Sequence, residues 1–99
     1  MKSVTMPAFE QAFKQQPLML LDVRESDEFS DGHIEGAISV PLSILSEELA
    51  RLDKKESYYV ICLAGGRSAR ACELLTDEGY DVTNVMGGMS AWPGDVVEG

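Results

Sequence analysis

Basic side chains are scarce: eight Lys and Arg stand against 17 Asp and Glu, giving a formal charge of −9. Binding a phosphate backbone needs clustered Lys and Arg to release counterions, so no nucleic-acid partner is expected. Long apolar runs are missing too. The longest strictly aliphatic stretch is Leu18-Met19-Leu20-Leu21, and the N-terminus carries Pro7 and Glu10 in place of an apolar h-region. Neither a membrane span nor a signal peptide is expected, and the expected address is the cytoplasm. Histidine occurs once, as His33, and cysteine twice, as Cys62 and Cys72. That set lacks the close pairs of a zinc site, so no structural metal is expected. A Cys62–Cys72 disulfide would join a strand end to the middle of the next helix, roughly 15 Å away, so both read as free thiols.

What remains is ordinary for a folded domain: 44% apolar and 25% charged residues, with too few glycines and prolines for a disordered chain. Residues 1–99 read as one domain with a single core. Phe9, Ala12 and Phe13 fit one face of a short helix from Pro7 to Gln15. Leu18 to Val23 reads as a strand buried on both faces, and Glu25 to Phe29 as one helical turn. Ala37 to Val40 is a short extended piece before Pro41. Leu45, Leu49 and Leu52 then predict a helix to about Asp53 with one apolar stripe. Tyr58 to Cys62 and Val82 to Met86 are further strands. Between them Arg67 to about Glu78 is helical, with Gly79 as a left-handed C-cap. Gly87-Gly88 and Met89 to Trp92 read as a turn and a short helix, and 93–99 as a frayed, flexible tail. Strands alternating with helices through short loops predict an α/β domain with a mostly parallel sheet.

Ligands of such sheets bind outside the carboxyl ends of the strands, and Cys62 lies at that edge. Tyr58-Tyr59-Val60-Ile61 runs into Cys62, the turn Leu63-Ala64-Gly65-Gly66 follows, and Arg67-Ser68 opens the helix. A glycine-containing loop before a helix directs several N–H groups into one bowl and adds the positive end of the helix dipole. An ordinary thiol, with a pKa near 8.5, is only about 3% ionised at pH 7, and this setting with Arg67 lowers that value. The expected nucleophile is therefore Cys62, with Leu63, Ala64, Gly65, Gly66, Arg67 and Ser68 around its substrate.

Three ordered motifs carry a family likeness along nearly the whole chain: LLDVRESDEFSDGHIEGAISVP at Leu20 to Pro41, VICLAGGRSARACELLTDEGY at Val60 to Tyr80, and NVMGGMSAW at Asn84 to Trp92. The chain resembles a single-domain rhodanese. The resemblance implies a three-layer α/β/α sandwich with a five-stranded, mostly parallel sheet. It also implies a sulfurtransferase, needing no cofactor, whose Cys62 takes sulfane sulfur from a small anionic donor such as thiosulfate, becomes a persulfide, and passes the sulfur to a thiol or thioredoxin-like acceptor. The alternative is a rhodanese-like binding or redox-sensing module without turnover. The four residues between Cys62 and Arg67 match the sulfurtransferases; phosphatase relatives have one more.

Other positions refine the expectation. Leu63 to Gly66 carries no basic side chain, so thiosulfate turnover is expected to be poor, and a mercaptopyruvate-type loop sequence is absent. Ser39 stands where relatives often have Asn. Asp22 and Arg24 are expected to pair and brace the cysteine loop. His33 reads as a turn residue bonded to backbone, and Trp92, Gly87 and Gly88 as structural. The acidic faces Asp27-Glu28, Glu47-Glu48 and Asp77-Glu78 read as solvated surface, and nothing predicts more than a monomer.

Overall fold

The computed structural model describes residues 1–99. In chain order its elements are β1 (Lys2–Val4), α1 (Met6–Gln15), β2 (Met19–Asp22), α2 (Ser26–Asp31), β3 (Ile38–Ser39), 3-10 segments at Leu42–Glu47 and Leu49–Arg51, β4 (Ser57–Ile61), α3 (Gly66–Asp77), β5 (Asp81–Val85) and α4 (Gly88–Ala91). All five strands are parallel, in the order β1-β5-β4-β2-β3. The apolar runs of β2 and β4 occupy the middle because successive strand residues face opposite sides and both sides are covered. Leu21, Val60 and Cys62 meet Ala71, Cys72 and Leu75 of α3 and Leu45 of the first 3-10 segment. Leu20, Ile61 and Val85 meet Met6 and Phe9 of α1 on the other side. Trp92 closes that second layer with its ring edge-on to Phe9 and Phe13.

Two local expectations are corrected, and one strand is added. The helix expected to run to Asp53 is instead two 3-10 segments, their backbone bonds running three residues back, as from Glu48 to Leu45 and from Leu52 to Leu49. Leu42/Leu45 and Leu49/Leu52 are each three residues apart, the repeat of a 3-10 turn, so each pair faces the core. Lys2–Val4 forms an edge strand beside β5 that the sequence reading did not contain. The tail 93–99 is tied down rather than frayed: His33 and Val97 exchange both backbone bonds at 2.9 and 2.8 Å, and Gly99 N–H donates to Ser30 O at 2.9 Å. No helix is long and apolar enough to cross a membrane.

Candidate active site

Cys62 follows directly on β4, at the carboxyl edge of the central strand, with 1% of its surface exposed. The chain must reverse there to start α3. It does so through Gly65, which caps α3 at φ +109°, a left-handed conformation that glycine adopts without a Cβ clash. That geometry aims the Gly65 N–H at Cys62 Sγ, 3.0 Å away. The opposite side of the loop is held by α4: Met89 N–H donates to Cys62 O and Ser90 N–H to Leu63 O, both at 2.8 Å. With its carbonyls drawn back to α4, the loop leaves its N–H groups for the sulfur.

Burial pushes the Cys62 thiol up, but hydrogen bonds outweigh it and hold the thiol below its usual value. The Ser68 hydroxyl contributes most, followed by the N–H groups of Ser68, Gly65 and Ala64. Ser68 Oγ lies 3.3 Å from Cys62 Sγ and is buried beneath it. Leu63, Ala64 and Gly66 form the exposed rim. The expected site residues thus divide into a rim, a backbone donor at Gly65 and a floor at Ser68.

Arg67 is not directed at the sulfur as a free cation. Its guanidinium makes two bonds to Glu28 of α2, at 2.6 and 2.9 Å, with both side chains about a third exposed. This corrects the reading of Glu28 as solvated surface. The Arg67 bond holds the Glu28 carboxyl down at about 2 against the opposing effect of burial, helped by the Glu25 N–H. Glu28 also closes a capping box with Glu25 at the start of α2, so the same carboxylate fixes the helix and occupies Arg67. The Glu28 bond in turn raises the Arg67 pKa, and the negative charge of Cys62 adds to it.

Asp22 and Arg24 pair as expected, fully buried and 6% exposed respectively. Arg24 Nε lies 3.0 Å from Asp22 Oδ1 and Nη2 lies 2.7 Å from Oδ2; Nη2 also donates to Gly32 O at 2.8 Å. Neither bonds to Cys62. Asp22 is in register with Ile61, the residue before the cysteine, so the pair braces the strand end. His33 Nδ1 bonds to Phe29 O at 2.8 Å while its ring stacks on Phe29, as a turn histidine should. Cys72 is a buried free thiol pushed to about 11, first by burial and then by the charge of Cys62. It cannot act as a ready second thiol.

Sequence reasoning missed Asn84, whose side-chain oxygen takes the Ser68 hydroxyl. A polar residue among the buried Val82 and Val85 of β5 was the available signal, because a buried amide requires a partner.

The pattern of the rhodanese-like domain matches residues 5–95. YtwF of Bacillus subtilis is 39% identical over 80 residues, covering 81% of this chain and 78% of that protein. The thiosulfate sulfurtransferase GlpE of Shewanella oneidensis is 28% identical over 92 residues, covering 92% of this chain and 91% of that one. The crystal structure of a rhodanese-like domain protein from Staphylococcus aureus superimposes with a TM-score of 0.93 at 35% identity, covering 100% of this chain and 99% of that one. A parallel five-stranded sheet with a cysteine loop at its carboxyl edge, matched along nearly its whole length in this way, places the chain in the rhodanese-like domain family.

Proposed function

We propose that the protein is a sulfurtransferase that carries sulfane sulfur as a persulfide on Cys62. The observation that carries this reading is the cysteine loop: a sulfur at a strand end, facing the Gly65 N–H and the Ser68 hydroxyl, with its thiol held below the ordinary value. The Cys62 thiolate attacks the outer sulfur of thiosulfate; the new S–S bond forms as the old one breaks, and sulfite leaves with the electron pair. The terminal sulfur then carries the negative charge within reach of the loop donors. An acceptor thiolate attacks that sulfur, leaves as a persulfide and restores the Cys62 thiolate. Electrons balance without a cofactor.

GlpE is named for thiosulfate, which supports that donor class. Two features favour poor use of a dianion: the rim has no basic side chain, and Glu28 occupies Arg67. A persulfide or polysulfide donor, with less charge, suits the site better. The acceptor is a thiol, small or borne by a thioredoxin-like protein, and the proposed setting is a monomer in the cytoplasm. The same engaged arginine and nearly complete burial of Cys62 support a second reading, a binding or redox-sensing module.

Intact mass distinguishes the two. Wild type incubated with thiosulfate or polysulfide is expected to gain about one sulfur atom and lose it to a small thiol, whereas Cys62→Ser gains none. Wild type that loads from neither donor leaves the sensing module as the reading; loading that persists in the folded variant removes Cys62 from the reaction.

A further inference from the structure

Ser68 carries one hydroxyl proton and faces three acceptors: Cys62 Sγ at 3.3 Å, the Gly65 carbonyl at 3.1 Å and the Asn84 amide oxygen. One proton serves one of them well. With Cys62 protonated the arrangement closes, because S–H donates to Ser68 Oγ and the Ser68 hydroxyl donates to Asn84 Oδ1. With Cys62 ionised it does not. The sulfur is then an acceptor, and a hydroxyl turned toward it leaves Ser68 Oγ and Asn84 Oδ1 facing each other with no proton between them. Two buried acceptors in contact are costly.

Turning the amide over removes the conflict, since Nδ2 then occupies the place of Oδ1 and donates to Ser68 Oγ. Nothing else holds the amide in one sense: its one side-chain hydrogen bond is to Ser68. Its backbone, by contrast, is fixed in β5 beside Ser3 and Val60.

We propose that Asn84 is a positioning residue for the Cys62 nucleophile, its amide turning over as the thiol ionises so that the chain Cys62–Ser68–Asn84 reverses its direction of donation. In the thiol the chain runs from sulfur to amide; in the thiolate it runs from amide to sulfur, and Ser68 gives the anion a charge-assisted bond supported from behind. When the S–H bond breaks, the electron pair stays on sulfur and the proton passes to water or a buffer base.

The other groups bearing on Cys62 are Arg67, engaged by Glu28 beside Glu25, the self-paired Asp22 and Arg24 at the end of β2, and Cys72 within α3. α4 contributes no titratable side chain. None of these hydrogen-bonds to the Ser68 or Asn84 side chains. The inference rests on Cys62 being the nucleophile proposed above, but its test reads ionisation rather than sulfur transfer, so either can fail without the other.

The test is the pH dependence of Cys62 alkylation by iodoacetamide, with the site assigned by mass spectrometry, in wild type, Asn84→Leu, Ser68→Ala and the double variant. Asn84→Leu is expected to move the midpoint upward and to slow alkylation at pH 7 roughly three- to tenfold, the net worth of about one hydrogen bond. In the Ser68→Ala background the same substitution is expected to change nothing. A midpoint unmoved by Asn84→Leu, or a shift that persists undiminished without the Ser68 hydroxyl, overturns the proposal. Should Asn84→Leu not fold, the Asn84 side-chain amide resonances decide. They are expected to follow the Cys62 midpoint in wild type and to stay still across that range in Ser68→Ala; resonances that do not move in wild type overturn it equally.

Discussion

Cys62 is a residue on which two large effects oppose each other. Burial favours the neutral thiol, and short-range donors favour the anion; the donors win, the Ser68 hydroxyl first and the N–H groups of Ser68, Gly65 and Ala64 after it. Arg67 contributes charge but at reduced strength, since Glu28 neutralises it. The Glu28 carboxyl is held at about 2 in the folded chain, below its ordinary 4.5. A depressed carboxyl adds stability above its unfolded value and loses it as the pH falls from there through the folded value. With both side chains about a third exposed, the pair is worth at most ~1 kcal/mol. Glu28→Gln is therefore expected to lower urea stability by about 1 kcal/mol or less at pH 7, the difference from wild type shrinking between pH 4.5 and 2. A difference that stays constant over that range would show that the Glu28 charge is not what stabilises the fold. The Glu28–Arg67 pair could not be read beforehand, because its partners are 39 residues apart and nothing local joins them. Cys62 and Gly65 could be read, because a cysteine at a strand end and the turn that follows it are neighbours in sequence.

At the scale of elements, the cysteine loop is held from behind by the start of α4. Gly88 is the point of closest approach: a Cβ there would lie under 3.0 Å from the Cys62 and Leu63 carbonyl atoms, and its φ of +56° is left-handed. The obstacle is backbone, so it cannot be moved aside as a flexible side chain can. Gly88→Ala is expected to destabilise the fold by about 2–4 kcal/mol through overpacking and backbone strain. It is also expected to move the Cys62 alkylation midpoint upward, because the displaced loop no longer aims its N–H groups at sulfur. Thermal denaturation and alkylation check the two effects; a variant of wild-type stability would refute the steric argument. Continuous apolar runs and a glycine cap made most elements legible in the sequence. The 3-10 segments were mistaken for an α-helix because Leu45, Leu49 and Leu52 satisfy the α-helical stripe as well as they satisfy a break at Glu48. Only the pairs Leu42/Leu45 and Leu49/Leu52 betray the tighter turn. β1 and the tail escaped notice because both are ordered by partners distant in sequence, β5 in one case and the Ser30–His33 segment in the other.

For the molecule as a whole, topology and charge pull in different directions. Placing β4 and β2 in the middle of the sheet brings Cys62 and the Asp22–Arg24 pair to one edge, with the positive end of α3 beside Cys62. That local field attracts an anion, while the whole molecule carries a formal charge of −9 and repels one. Distance decides between them. The molecule measures 31 × 27 × 22 Å. At about 10 mM salt the screening length, roughly 30 Å, spans it, so an approaching thiosulfate feels every carboxylate. At about 150 mM the length contracts to roughly 8 Å, and only the loop donors, Arg67 and their immediate neighbours remain in range. The second-order rate of Cys62 loading by thiosulfate is therefore expected to rise roughly twofold or more between these conditions, while a neutral polysulfane or alkylating reagent reacts at an unchanged rate. Stopped-flow or quenched mass measurements at several salt concentrations give the sign directly. A thiosulfate rate that falls with salt would mean that the positive loop, rather than the acidic surface, governs encounter, and that Glu28 leaves Arg67 more of its charge than the paired geometry implies.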